Sequence, residues 1–111
     1  MKITIRNAGR ATILDLDGAL RLGEAEDTVR QQVQQLVDAG ATRVAINLAK
    51  VSELDSSGIG VLVRTHASLN RAGGKCTFYA ANGRVLMLLK MVRLDTVFDL
   101  APDEAAALSR L

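Results

Sequence analysis

The N-terminal segment alternates between polar and apolar residues. Residues 2–6, with the sequence KITIR, have a period of two that predicts a half-exposed edge strand. Residues 7–10 supply turn-forming asparagine and glycine, and the apolar run Ala11–Asp17 predicts a second, more buried strand. The chain is therefore expected to begin with a β-hairpin.

Apolar residues then recur at helical spacing. Residues 24–39 predict the clearest helix, because acidic residues fill its first turn and Gly40 follows its end. The glutamines of this segment are expected to face water. The residues predicted to share its buried face are Ala25, Val29, Val33, Leu36 and Val37.

The rest of the chain alternates between strand and helix patterns. The short apolar segment Arg43–Leu48 is typical of a central strand covered on both faces, and we expect a loop over residues 49–55 to follow it. The later elements are expected to be a helix at about 56–72, a strand over Cys76–Ala80, a helix capped by Asn82 that runs to about Met91, a short edge strand over Thr96–Leu100, and a last helix with Pro102 in its first turn that runs to residue 110.

This order of elements predicts one α/β domain over residues 1–111. Helices that alternate with strands imply right-handed crossovers and parallel pairing after the hairpin. We therefore expect a mixed, mostly parallel sheet of four to five strands with an N-terminal hairpin and about four helices. Functional sites in such sheets lie beyond the carboxyl ends of the strands. The segment Asp55-Ser56-Ser57-Gly58 falls at that edge.

Composition narrows the class of protein. Hydrophobic residues make up 49% of the chain and aromatic residues only 3%, so the core must be aliphatic. The net charge is +2, and without a basic stripe or stacking aromatics we expect no direct nucleic-acid binding. No signal-peptide pattern opens the chain, and no apolar stretch approaches the roughly 20 residues that span a bilayer. We therefore expect a cytoplasmic protein without membrane insertion.

The residue types that hold cofactors are sparse. The single cysteine, Cys76, excludes an internal disulfide and a multi-cysteine metal site, and its apolar surroundings predict a buried, inert thiol. The acids of residues 24–27 are normal for the first turn of a helix. No glycine-rich loop with a following Lys-Ser or Lys-Thr offers a nucleotide-phosphate site. We expect neither a metal nor a cofactor.

The segment from Asp55 to Gly60 lies where the second helix should begin. Unpaired backbone N–H groups and the positive end of the helix dipole make such a position tolerant of added negative charge. A serine there is able to carry a phosphate, while Asp55 or Ser56 is equally suited to cap the helix. Gly58 and Gly60 each cost helix propensity, by about 1 kcal/mol. Either the close approach of a partner or tight packing of helix on sheet explains them.

A hydrolase is not expected, because Ser57 lacks a base. His66 is the only histidine and stands nine positions after Ser57 on the same predicted helix, about 13 Å along its axis. General-base contact needs about 3 Å. His66 falls near the apolar line formed by Ile59, Leu62, Val63 and Leu69. We expect its ring to be packed or to face a partner.

The third predicted helix is rich in apolar residues. Its segment 86–91, which includes Met87, is either part of the core or an exposed docking surface, and the core is the default interpretation. The side chains predicted to point inward are Val85, Leu86, Leu88 and Leu89. Because no exposed apolar helix face is evident, we expect a monomer.

The motif around Ser57 is similar to that of a known family. The segments AINL (45–48) and VSELDSSGIGVL (51–62) resemble the STAS domain of bacterial anti-sigma factor antagonists. The spacing to Gly73-Gly74-Lys75, and the closing Val92-Arg93-Leu94 and Val97-Phe98, are also similar to that family. The resemblance extends over essentially the whole chain.

This resemblance implies a phosphorylation-controlled binding module that is not an enzyme. The unmodified protein would bind an anti-sigma factor with serine kinase activity and so release a sigma factor. That partner would phosphorylate the antagonist from ATP, and a PP2C-type phosphatase would reverse the reaction. The family's phosphoacceptor is the hydroxyl residue directly before the glycine, which implies Ser57, with Ser56 as its neighbour and Asp55 as the preceding acid. The alternative is a non-phosphorylated STAS scaffold or regulatory subunit of a membrane transporter or signalling assembly.

One position departs from the family pattern. Many phosphorylated members carry an acid in the loop after the second strand, where Gly18-Ala19-Leu20-Arg21 places an arginine here. Arg21 is either an ordinary solvated residue, a partner for a phosphate on Ser57, or a sign of a different kinase or none. The expected interface combines this loop, residues 52–57 and the start of the second helix, including Gly58 and Gly60.

Overall fold

A five-stranded sheet runs through the molecule, and the computed structural model describes all 111 residues. The strands are β1 Lys2–Ala8, β2 Ala11–Leu20, β3 Arg43–Leu54, β4 Lys75–Tyr79 and β5 Asp99–Ala101. The helices are α1 Glu24–Asp38, α2 Ser56–Arg71, α3 Gly83–Met91 and α4 Glu104–Ser109, with a 3-10 turn at Leu94–Thr96. The strands lie in the order β1-β2-β3-β4-β5, antiparallel for β1 with β2 and parallel thereafter. The predicted fold class is confirmed.

The two faces of the sheet carry cores of unequal size. Alternate residues of a strand point to opposite faces. On one face, Leu14 and Leu16 of β2 join an apolar cluster with α1, α2 and α3. On the other face, Ile13 packs with Tyr79 in a cluster of five buried residues that α4 covers. β3 lies at the centre of the sheet, as its apolar sequence predicts, and contributes to both clusters.

A polar network fastens α4 to the smaller face. The Arg6 guanidinium donates to the carboxylates of Asp15 and Glu104, each at 2.6 Å. The Tyr79 hydroxyl also donates to Glu104, at 2.9 Å. The hydrogen bonds from Arg6 hold the pKa of both carboxyls below their usual range. The network thus joins β1, β2, β4 and α4 through side chains alone.

Two strands are longer than the sequence predicts. β2 continues past Asp17 to Leu20, and β3 continues through residues 49–54, which were expected to form a loop. Their extensions pair with each other, ending at Leu20 opposite Leu54, and the buried side chains of both residues anchor them. Register shifts at Asp15/Asp17 and Gly18/Ala19 break the alternation of apolar residues. Because a strand is predicted from a regular alternation of apolar and polar residues, these extensions could not be predicted from the sequence pattern.

Three predicted details near the C-terminus differ from the structure. Asn82 occupies the position before α3 as predicted, but its side chain makes no capping bond and donates to the Ala80 carbonyl at 3.3 Å. Thr96 belongs to the 3-10 turn, so the last strand begins only at Asp99. Pro102 precedes α4 and is not in its first turn, and the helix is capped by the Asp103 side chain, which accepts from the Ala106 amide at 2.9 Å.

The second and third helices differ from expectation in what they expose. Val63, predicted near the buried line of α2, is 40% exposed, whereas Val61 and Thr65 are buried. In α3, Val85 and Leu89 are buried, but the exposed fractions of Met87 and Met91 are 53% and 70%. An apolar surface is therefore present on α3, so a monomer is no longer implied by the lack of an exposed apolar helix face.

Candidate functional site

The candidate site lies where β2 and β3 end side by side. Leu20 and Leu54 are opposite each other at the last pairing of the two strands, and both side chains are buried. The Asp55 amide donates to the Leu20 carbonyl at 3.4 Å, which holds the two chain segments together beyond the ladder. These strand ends form the base on which α2 begins.

Asp55 caps α2 and also binds the neighbouring loop. One carboxylate oxygen accepts from the Gly58 amide at 2.8 Å, and the other accepts from the Leu22 amide at 3.1 Å. Hydrogen bonds to the charged form of a carboxyl favour ionisation. The Gly58 amide, and then the Leu22 amide, hold the pKa of Asp55 below its usual range. Of the two capping candidates in the sequence, Asp55 and Ser56, Asp55 is the residue that caps this helix. Its contact with the β2–α1 loop was not predicted.

Ser56 and Ser57 are the first two residues of α2. Ser56 is exposed and Ser57 is half-buried. Neither hydroxyl makes a hydrogen bond to another group of the protein, since the capping bonds go to Asp55. The first turn of α2 itself contains no acidic residue. Both hydroxyls are therefore uncommitted, on a backbone that is firmly placed at the positive end of a helix.

The two glycines of the motif have different surroundings. A Cβ at Gly58 would lie 2.2 Å from the carbonyl oxygen of Leu20 and 2.8 Å from the Leu54 side chain. Gly58 is thus explained by the packing of α2 on the strand ends. A Cβ at Gly60 would meet only the flexible guanidinium of Arg64, at 3.3 Å. Internal packing does not require a glycine there.

Arg21 pairs with a carboxylate on the neighbouring strand. Its guanidinium lies 3.1 Å from the Glu53 carboxylate, and the two side chains are 60% and 55% exposed. Exposed pairs of this kind contribute roughly 0.2–1 kcal/mol. The pair makes a second link between the β2–α1 loop and the end of β3. The structure contains no hydrogen bond from Arg21 to the Ser57 hydroxyl.

Sequence reasoning missed Leu22 as part of this surface. Its side chain is 75% exposed, the largest exposed fraction among the big apolar residues of the chain, although its backbone is tied to Asp55. A lone aliphatic residue between Arg21 and Gly23 in a predicted loop was the only available signal. Leu22 therefore presents an exposed apolar side chain on a backbone that is hydrogen-bonded to the residue preceding the two serines.

His66 has no access to the serine hydroxyls. α2 is continuous from Ser56 to Arg71, so nine residues separate His66 from Ser57 along one helix, about 13 Å. The imidazole packs on Phe98, with ring centroids 5.3 Å apart, and a ring nitrogen lies 3.2 Å from the Asn70 amide. Phe98 in turn stacks on Phe78 in the core. His66 is a packing residue and provides no base for Ser57.

Comparisons with known proteins find similar folds over nearly the whole chain. The family model of the STAS domain matches residues 2–107. An anti-sigma F factor antagonist of Paenibacillus polymyxa is 26% identical over 112 residues, covering 100% of this chain and 95% of that protein. An anti-sigma factor antagonist from Mycobacterium paratuberculosis has a TM-score of 0.88 at 20% identity, covering 98% of this chain and 92% of the other. The phosphorylated form of the Bacillus cell fate determinant SpoIIAA has a TM-score of 0.75 at 21% identity, covering 98% of each chain.

No helix is both long and apolar enough to cross a membrane.

Proposed function

Because this chain belongs to the STAS domain family, we propose that it is an anti-sigma factor antagonist whose binding is switched off by phosphorylation of Ser57. The general role is supported by the similarity to anti-sigma factor antagonists along the full length of the chain. The partner in this proposal is an anti-sigma factor with serine kinase activity, which releases its sigma factor when the antagonist binds. A PP2C-type phosphatase restores the unmodified form.

The observation that carries the proposal is the uncommitted hydroxyl of Ser57 on a rigid helix start. The Asp55 carboxylate fixes the first turn of α2 and the adjoining loop without using either serine. A phosphate on Ser57 would therefore break no internal hydrogen bond. Its charge, about −1.5 to −2 near neutral pH, would lie at the helix end that favours anions. The domain stays folded when it is modified.

The switch acts on the partner and leaves the fold of this domain intact. In this proposal the partner surface covers the exposed Leu22 and the first turn of α2, and it buries the Ser57 side chain of that turn. Burying an unpaired dianion costs several kcal/mol, and each 1.4 kcal/mol is a tenfold change in affinity. One phosphate is thus sufficient to abolish binding. In this proposal the contact surface also includes Ser56, Gly60 and Arg21. Gly58 contributes indirectly, because it allows α2 to pack closely on the strand ends.

The proposal is tested by incubating this protein with ATP and with each candidate anti-sigma kinase of the same genome. The intact mass of the protein is then measured. We expect the mass of one phosphate in the wild type and in Ser56→Ala, and no gain in Ser57→Ala. The phosphorylated protein should lose binding to the kinase by at least tenfold while its circular dichroism spectrum is unchanged. Modification at Ser56 instead, or unchanged affinity after phosphorylation, would contradict the proposal.

The second candidate is a STAS scaffold or regulatory subunit that is not phosphorylated. The Arg21–Glu53 pair favours it, because an arginine stands where many phosphorylated members carry an acid. In that case no kinase adds a phosphate, and the wild type and Ser57→Ala bind the same membrane transporter or signalling assembly equally well. Co-purification of both forms from the native host distinguishes the two functions.

A further inference from the structure

A polar groove runs between α1 and α2, away from the start of α2. Its volume is about 470 Å³, and its lining contains no hydrophobic residue. α1 contributes Arg30 and three glutamines, and α2 contributes Arg64, Arg71 and a serine. No acidic side chain lines the groove. Three of the positive charges of a chain whose net charge is only +2 therefore converge on one surface.

The arginines of this groove are only weakly engaged. Arg30 pairs with Asp27 of its own helix at 3.1 Å, with both side chains about 60% exposed (62% and 60%). Arg64 pairs with Glu26 at 2.9 Å, and the two side chains are 55% and 24% exposed. Arg71 has no ion-pair partner. The exposed Arg30–Asp27 pair contributes roughly 0.2–1 kcal/mol, so an incoming carboxylate is able to replace Asp27 at small cost, to share Arg64 with Glu26 and to bind the unpaired Arg71.

We propose that this groove binds an acidic stretch of a polypeptide partner. Guanidinium groups bind carboxylates through two parallel hydrogen bonds, which gives both charge and geometric selectivity. The glutamine amides that line the same groove both donate and accept, as the backbone of an extended peptide requires. Carboxylates on the peptide pair with the arginines, and its backbone lies along the glutamines.

The spacing of the arginines sets the length of the bound segment. Arg64 and Arg71 lie seven residues apart on α2, about 10.5 Å along the helix axis. A peptide in the polyproline II conformation advances about 3.1 Å per residue and completes a turn every three residues, so two carboxylates three residues apart lie on the same side, about 9.3 Å apart, and match this spacing. No aromatic side chain lines the groove, so it lacks the rings on which nucleobases stack in single-strand binding sites. This lining favours a peptide over a nucleotide or a single-stranded nucleic acid.

This groove adjoins the Ser57 surface without including Ser57. Arg71 lies fourteen residues beyond Ser57, about 21 Å along the axis of α2. The Arg64 guanidinium reaches back towards Gly60, since a Cβ there would meet it at 3.3 Å. A peptide bound over Arg64 and Arg71 therefore covers the later turns of α2, and only its Arg64 end approaches the surface proposed for the Ser57 partner.

Titration of the full-length, nitrogen-15-labelled protein with a terminally blocked hexaglutamate peptide tests the proposal by chemical-shift mapping. We expect saturable shifts concentrated at residues 30–35 and 64–71, and none with hexaglutamine. Arg64→Gln and Arg71→Gln should each weaken binding roughly two- to fivefold. Arg84→Gln, an exposed arginine of α3 outside the groove, is the matched control and should leave the affinity unchanged.

Three results would overturn the proposal. The first is the absence of saturable shifts, or shifts that are scattered over the surface. The second is an equal loss of affinity in Arg84→Gln and Arg71→Gln, which would indicate a non-specific charge effect. The third is that tripolyphosphate or ATP shifts the groove resonances while hexaglutamate does not, which would assign the site to a phosphate ligand.

Discussion

The starts of α2 and α3 invite comparison, because both helices follow a parallel strand and both are preceded by a residue type that favours capping. Asp55 uses its two oxygens for two backbone amides, at 2.8 and 3.1 Å. Asn82 makes no capping bond, and its side-chain amide turns back to the Ala80 carbonyl. Around it, Ala80 and Gly83 have positive φ values of 60° and 48°. One helix start is tied to its surroundings, and the other is not.

The difference lies in what each side chain is chemically able to do. A carboxylate only accepts hydrogen bonds, so Asp55 has no alternative to the N–H groups that face it. An amide also donates, and the Ala80 carbonyl competes for Asn82. The start of α2 also gains from Gly58, which lets the helix approach the Leu20 carbonyl closely. A residue type that favours capping therefore does not ensure a capping hydrogen bond. The neighbouring groups must also offer its side chain no competing partner.

Replacing the packed glycine should have the largest effect. In Gly58→Ala the new Cβ would lie 2.2 Å from a backbone carbonyl oxygen, which cannot move without shifting the end of β2. We expect a loss of about 3 kcal/mol or more, a fall of roughly 12 °C or more in Tm. Thermal unfolding followed by circular dichroism measures it.

Two other glycines provide matched controls for Gly58→Ala. Gly83→Ala meets no atom within 4 Å but must adopt a φ near 48°, which costs about 1 kcal/mol. Gly60→Ala meets only the end of Arg64 and should raise stability slightly through helix propensity, by up to about 1 kcal/mol. If all three variants unfolded at the same temperature, the close contact at Gly58 would not be the cause.

Removing the Asp55 carboxylate should have the next largest effect. Asp55→Ala leaves the Gly58 and Leu22 amides without their acceptor, and we expect Tm to fall by roughly 5–10 °C at pH 7. Asn82→Ala removes no capping bond and should change Tm by less than about 2 °C. Equal losses in the two variants would remove the distinction between the helix starts.

The pH dependence of the Asp55 variant gives an independent check. The pKa of Asp55 is lowered in the folded protein, so its contribution is complete above the unfolded value of about 3.9 and is lost as pH falls through the lower folded value. The difference in Tm between wild type and Asp55→Asn should be constant from pH 7 to 5 and shrink below about pH 4. The acid sensitivity of Asp15 and Glu104 is common to both proteins and cancels in this difference.

The smallest expected effect is a gain of stability at α3. Asn82→Asp cannot donate to the Ala80 carbonyl, so its carboxylate should turn to the first-turn amides of α3 as Asp55 does at α2. We expect Tm to rise by about 2–4 °C. An unchanged or lower Tm would mean that the backbone around Ala80 and Gly83, and not the choice of side chain, prevents capping.

Much of the fold could be predicted because most segments have one clear period. The apolar spacing of α1 and the continuous apolar sequence of Arg43–Leu48 indicate their structures without long-range information. The end of β3 could not be predicted, because its register shifts against β2 break the alternation. The same gap hid the contact between Gly58 and the Leu20 carbonyl, which depends on where β2 ends.

The sequence identified most residues of the candidate site but not the hydrogen bonds and ion pairs that join them. Asp55 as a cap follows from local chemistry, since its partner Gly58 is three residues away. Its second hydrogen bond, to the Leu22 amide, joins residues 33 positions apart, and no local sequence pattern indicates it. The pairing of Arg21 with Glu53 is hidden for the same reason. Local signals thus identify the residues of the site, and only the fold shows which of them are held together.

The strand order has a consequence for how the chain reaches this structure. Every strand of the sheet pairs with the strand that comes immediately before or after it in the chain. Each pairing therefore closes one hairpin or one crossover that contains a single α-helix, and the entropy cost of closure grows only with the logarithm of loop length. Contacts close in sequence also speed folding. The sheet is therefore able to form by adding one strand at a time, because no strand pairs with a segment that is distant in the sequence.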